Sequence, residues 1–124
     1  MAALPAFVGS ARIGGNTDLL VDEVLRGAGT ATTRKVRLFD VDMAPCRGCM
    51  TCTLGECRGY DDGVAPLLRD MIQARALLFA TPVYFWNVSG LTKTLWDRML
   101  PLAGLDLTTT PVTMRPLLKG RNAG

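Results

Sequence analysis

The 124-residue chain contains no histidine. That absence removes the commonest general base near neutral pH and the commonest nitrogen ligand for metals. A Ser-His or Cys-His hydrolase is excluded with it. Lysine is scarce: Lys35, Lys93 and Lys119 stand among a much larger number of arginines. The formal charge is +3 and the basic residues are scattered, so no nucleic-acid partner is expected. No apolar run approaches the roughly 20 residues of a membrane-crossing helix, and no membrane association is expected. "MAALPAFVGSAR" lacks both the basic start and the long apolar stretch of a secretory signal. The expected location is therefore cytoplasmic, where thiols stay reduced. Internal repeats and linker-like stretches are also missing, and one domain over residues 1–124 is expected.

What is present is a hydrophobic content of 48%, enough to build a core. "LPAFV" at 4–8 reads as a strand and runs into "GSARIGGNT". Leu20, Val24, Leu25 and Ala28 then recur at helical spacing, with Asn16 or Thr17 as the cap and Gly27 or Gly29 at the end. "KVRLFDV" predicts a second strand, and the cysteine-bearing stretch after it a loop. Asp61, Asp62 and Gly63 look like a cap, followed by Val64, Leu67, Leu68, Met71 and Ile72 on one helix face. "ARALLFATP" reads as a strand buried on both sides, and "NVSGLTKTLWDRML" as a third helix with Leu91, Leu95 and Met99 together. The alternation predicts an α/β fold with a parallel sheet. The Pro- and Thr-rich tail from 102 onward reads as an extended surface segment. The fold is expected to stop after its third strand and third helix, small for this class.

Two loops leave the carboxyl ends of predicted strands, where open α/β sheets bind their ligands. In the first, Gly14 and Gly15 let the backbone turn tightly, and the helix start offers free N–H groups and a positive dipole end. Ser10, Arg12, Asn16 and Thr17 complete a phosphate cradle. There is no Lys after the glycines, as a Walker A loop requires, and Ala11 breaks the G-x-G-x-x-G dinucleotide pattern. A monophosphate is the guest this loop suits; an ordinary strand-to-helix turn accounts for the glycines equally well. In the second loop, "TPVYFWNVSG", Tyr84, Phe85 and Trp86 suit a flat ring, or pack a core edge.

All four cysteines fall in one stretch, Cys46-x2-Cys49-x2-Cys52-x4-Cys57. Zinc sites commonly come as two C-x2-C knuckles separated by a longer stretch. Three cysteines at successive two-residue gaps instead match the cluster-binding run of ferredoxins. Free thiols and a structural zinc remain open readings of the same residues. Arg47 and Arg58 would offset the charge of a thiolate-ligated cluster.

"GSARIGGNTDLLVDEVL", "APCRGCMTC" and "TPVYFWNVSGLTKTLWDR", taken together and in this order, resemble the NAD(P)H-dependent FMN reductase family of flavodoxin-like proteins. Among its branches the iron-sulfur flavoproteins are the nearest. The resemblance implies a doubly wound flavodoxin-like sheet that binds FMN. The phosphate would meet Ser10, Arg12, Asn16 and Thr17, and the isoalloxazine would lie against Pro82, Val83, Tyr84 and Phe85. It implies a [4Fe–4S] cluster on Cys46, Cys49, Cys52 and Cys57. NAD(P)H is the implied donor to an unknown electron acceptor, and a homo-oligomer the implied assembly. The rival readings are a flavin and iron-sulfur electron carrier that takes no nicotinamide, and a metal-binding fragment without flavin. Lys93, Asp97 and Arg98 match the family and are assigned structural roles. Trp86 departs from it, standing where a small residue is common, and the family continues into two further strands after a segment like "PLLKGRNAG".

Overall fold

The computed structural model of the chain describes residues 2–106, 109–120 and 122–123. Three five-residue strands, β1 (Leu4–Val8), β2 (Thr33–Arg37) and a later strand at Ala76–Ala80, lie parallel with β1 in the middle. Between β2 and the last of these run β3 (Cys52–Thr53) and β4 (Glu56–Cys57), a two-residue hairpin pair, so Ala76–Ala80 is β5. Helices α1 (Asn16–Gly27), α2 (Val64–Gln73) and α3 (Gly90–Asp97) connect and follow them. The alternating α/β fold predicted from the sequence is thus the one formed.

Strand alternation sorts the core into two layers. Phe7, Val36, Leu77 and Phe79 face one side, where they pack with Leu67, Leu68 and Met71 of α2 and Leu95 of α3. Phe79 stacks on Phe7 at 5.3 Å and takes Trp96 edge-on at 6.1 Å. Ala6, Val8, Leu78 and Ala80 face the other side, toward Val21 and Leu25 of α1. Large side chains thus fill the side with two helices, and mostly small ones the side with one.

Several boundaries and faces differ from those predicted. Helix α1 is capped by Gly15 with no side-chain bond, not by Asn16 or Thr17, which are its first two residues. Its buried stripe is Asp18, Val21 and Leu25, while Leu20 is 66% exposed and Val24 is exposed as well. A buried acidic residue paired with the half-buried Lys35 and Arg37 displaced the purely apolar stripe. β2 begins two residues early and stops at Arg37, where pairing with β1 runs out, and Leu38–Asp40 form a 3-10 turn. β5 buries only Leu77 fully. Of the predicted face of α2, Val64, Leu67, Leu68 and Met71 are buried and Ile72 half-buried; Gly63 is the N-cap, and Asp62 just before it accepts the Val64 N–H at 3.1 Å.

The tail is more ordered than an extended segment. A 3-10 turn at Leu100–Ala103 precedes the antiparallel pair β6 (Leu105–Asp106) and β7 (Thr113–Met114). β8 (Asn122–Ala123) adds a fourth parallel strand beside β5, giving the order β2-β1-β5-β8. Among the described residues no helix is long and apolar enough to cross a membrane.

Gly9, just past β1, packs directly against the start of α3. A Cβ there would sit 1.9 Å from Thr92 Oγ1 and 2.8 Å from Ser89 Oγ. Gly9→Ala is therefore expected to destabilise the fold by about 1–3 kcal/mol, read as a lower urea midpoint. Gly27→Ala, where a Cβ meets nothing within 4 Å, should raise it, since alanine is the better helix former by about 0.5–1 kcal/mol.

Candidate functional site

The glycine loop and the aromatic loop leave neighbouring parallel strands at the same end, and a shared hydroxyl floor joins them. Gly9 N–H donates to Ala80 O at 2.7 Å. Ser89 Oγ donates to Gly9 O at 2.6 Å and lies 3.1 Å from Thr92 Oγ1, and Ser89 N–H donates to Thr81 Oγ1 at 2.9 Å. Ser89 also caps α3 by accepting the Thr92 N–H. Ser89 and Thr92 are both buried. The N-termini of α1 and α3 thus flank one spot at the sheet's carboxyl edge.

Of the predicted phosphate-binding residues, Ser10 is buried and its Oγ accepts the Arg12 N–H at 3.2 Å. Arg12 lays its methylenes against Gly15. Asn16 and Thr17 open α1, and their N–H groups, with that of Ile13, have no partner among the described residues. Asp18, absent from the predicted set, holds the loop's shape. It accepts the Gly14 N–H at 2.8 Å and pairs with Arg37 at 2.7 Å and Lys35 at 2.5 Å. The bonds from Lys35 and Arg37 come first, and with Gly14 N–H they hold its carboxyl far below the usual range against the opposing effect of burial. Its place three residues before Val21 and seven before Leu25 on the buried stripe was the sequence signal for it.

In the second loop Tyr84 and Asn87 exchange both backbone bonds, at 2.8 and 3.0 Å, across a two-residue turn. Phe85 and Trp86 fill that turn with φ of 47° and 63°. Bulky residues in the left-handed region cost about 1–3 kcal/mol each. They stand 97% and 94% exposed, so no packing inside the chain repays the strain. Val83 and Tyr84 are exposed beside them, and Pro82 is half-buried.

The four cysteines are free thiols. Cys52 and Cys57 face each other across β3 and β4. Burial raises the Cys52 thiol above its ordinary value, and the nearby Cys57, Cys49 and Cys46 push it the same way. The Thr51 hydroxyl at 3.1 Å lowers the Cys49 thiol. Two N–H groups point at sulfur: Gly48 N to Cys46 Sγ at 3.5 Å and Arg98 Nε to Cys57 Sγ at 3.3 Å. Among the described residues no three Cys, Asp or Glu side chains converge as one metal ion requires. An all-sulfur donor set with N–H···S contacts suits soft metals and iron-sulfur clusters.

Arg98, at the end of α3, is 1% exposed. It forks onto Asp62 at 2.7 and 3.0 Å, donates to Ala44 O at 2.8 Å, and lies 3.6 Å over the Tyr60 ring. Tyr60 Oη donates to Pro45 O and accepts the Arg47 N–H, both at 2.7 Å. Burial disfavours the Asp62 charge, but Arg98 and the Val64 and Ala44 N–H groups outweigh it and lower its pKa. Lys93 and Asp97 form only an exposed pair one turn apart.

Residues 3–115 match the family described as NADPH-dependent FMN reductase. The chain belongs to that family. Within it, an iron-sulfur flavoprotein of Methanocaldococcus jannaschii is 40% identical over 97 residues, 76% of this chain and 50% of the relative. One of Archaeoglobus fulgidus is 34% identical over 120 residues, 94% of this chain and 50% of the relative. The chain therefore spans about half the length of these curated relatives. A crystal structure of RosB, described with bound 8-demethyl-8-formylriboflavin-5'-phosphate, superposes with a TM-score of 0.72 at 20% identity. It covers 98% of this chain and 49% of RosB, and supports the fold.

For this FMN reductase family member, Asp18→Asn tests the loop brace. Because the folded carboxyl is depressed, its stabilisation is complete above the ordinary carboxyl pKa of about 4 and is lost as pH falls toward the folded value. The stability gap between wild type and Asp18→Asn is expected to be largest near neutral pH. It should shrink on acidification below about pH 4, as measured by urea unfolding at stepped pH.

Proposed function

We propose that this chain carries the flavin-binding part of an FMN-dependent oxidoreductase that draws electrons from NAD(P)H. The observation that carries it is the joint between the two loops: Ser89, capping α3, bonds Gly9 O and so fixes the glycine turn beside the aromatic turn. The residues present fit FMN. Free N–H groups of Ile13, Asn16 and Thr17 at the α1 N-terminus, with the Arg12 charge, suit a monophosphate dianion. Ser10 shapes the turn from within, and Asp18 keeps it braced. Pro82, Val83, Tyr84 and Phe85 offer an apolar surface to a flat ring. Bound FMN would supply hydride acceptance and the release of electrons singly or in pairs; the chain binds, orients and excludes water. No acid-base residue is needed for that, consistent with a chain without histidine.

The four cysteines support a [4Fe–4S] cluster as the second cofactor. The ferredoxin-like spacing, the pairing of Cys52 with Cys57 across the hairpin and the two N–H···S contacts all favour it. Relatives named iron-sulfur flavoproteins support the same reading. A homo-oligomer located in the cytoplasm, with an acceptor of unspecified chemistry, completes the proposal. The exposed Phe85 and Trp86 favour an assembled state.

Anaerobic protein mixed with FMN is expected to quench flavin fluorescence at one FMN per chain. Arg12→Ala should weaken that binding about tenfold or more, as loss of one charge-assisted contact does. NADPH or NADH should bleach the bound flavin in stopped flow. Binding without bleaching replaces the enzyme with an electron carrier, and no binding overturns the flavin reading. Iron and acid-labile sulfide after reconstitution should approach four of each per chain and fall in Cys49→Ser.

A further inference from the structure

The cysteine stretch is closed at its base by a single side chain that belongs to neither end of it. Arg98 is the C-cap of α3. Its Nη1 bonds Ala44 O, two residues before Cys46, and its Nε–H points at Cys57 Sγ. Asp62 holds the same guanidinium from beyond the stretch and also accepts the Ala44 N–H at 3.3 Å. Tyr60 lies beneath it and ties Pro45 and Arg47, while Arg47 reaches Gly59 O at 2.9 Å. Every bond in this set joins residues 44–47 to residues 57–62 or passes through Arg98. Gly59 leaves room for the Cys49 sulfur, since a Cβ there would come within 2.4 Å of it.

We propose that Arg98 is the positioning residue of the thiol set. One guanidinium clamps Ala44 to Cys57 and aims the Cys57 sulfur. Helix α3 begins at the hydroxyl floor under the aromatic loop and ends at this clamp. Its eight residues, about 12 Å along the axis, therefore tie the placement of the thiols to that of the flavin loops. The charge alone does not do this. A lysine at 98 keeps a cation for Asp62 but cannot bond Asp62, Ala44 and Cys57 at once from a planar fork. The clamp rests on the chain's own geometry; its effect on a cluster rests on the reading proposed above.

Hydrogen exchange followed by mass spectrometry tests the clamp without any cofactor. In Arg98→Lys, amides of 44–60 are expected to exchange at least tenfold faster, with those of β1 and β5 unchanged. A second pair isolates the sulfur contact in case Arg98→Lys does not fold. Cys57→Ser keeps an acceptor for the Nε–H and should exchange like wild type, whereas Cys57→Ala should open residues 52–58. Unchanged exchange in a folded Arg98→Lys, or identical behaviour of the serine and alanine variants, overturns the proposal. After anaerobic reconstitution with iron and sulfide, the cluster of Arg98→Lys should titrate at a more negative midpoint potential, because an N–H···S donor is lost. An unchanged potential also counts against the proposal. Wild-type protein that assembles no cluster would refute the cluster reading alone, and the exchange result would still decide the clamp.

Discussion

The buried pair of Arg98 and Asp62 is the interaction on which the functional half of this molecule depends. A fully enclosed guanidinium is costly to hold unless its nitrogens are matched, and here a carboxylate fork, a carbonyl and a thiol give each nitrogen a partner while an aromatic face covers the plane. Breaking such a pair from one side leaves a stranded charge, at a cost of about 3–5 kcal/mol. That cost is what makes the arrangement specific. Between Ala44 and Gly63 the regular backbone structure is confined to the two-residue hairpin of β3 and β4. That stretch borrows its shape from Asp62, just ahead of α2, and from Arg98, the C-cap of α3.

The same logic governs the other end of α3. Ser89 is both the helix cap and the bond to Gly9, so the start of α3 cannot move without disturbing the glycine turn. Gly9 has no side chain because Thr92 occupies the space. Asp18 does for the first loop what Asp62 does for the cysteine stretch: a carboxylate pinned by cations, two for Asp18 and Arg98 alone for Asp62, holds a backbone N–H in place. Against these braces the Phe85–Trp86 turn stands out, with strain stored in residues that touch almost nothing within the chain. Strain kept at an exposed tip is the pattern expected of a surface that meets a ligand or another molecule.

The strands were legible because "LPAFV" and "ALLFA" are short apolar runs bounded by turn formers, and strand alternation left few other solutions. The α2 face was legible for the same reason. The inward face of α1 was legible only at Leu25: Leu20 and Val24 mark an apolar stripe, yet Asp18 and Val21 are the residues turned inward beside it. A buried ion pair beat hydrophobicity there, and its cations, Lys35 and Arg37, lie a helix and a turn away in the chain. Arg98 hid in the same manner. It follows Leu91 by seven residues and Leu95 by three, squarely on the buried stripe, but its partners are 36 to 54 residues distant. The strand Asn122–Ala123 was invisible because two residues carry no periodicity.

The sequence by itself determined the alternating α/β order, the two ligand-type loops and the thiol spacing, because each is a local pattern of turn formers, apolar period or cysteine gaps. Only the tertiary structure decided that Ser89 locks one loop to the other, that Asp18 braces the first, and that Arg98 closes the cysteine stretch. Those are contacts between residues far apart in the chain. Their energy comes from burial and complementary charge, which exist only once the sheet has brought the pieces together.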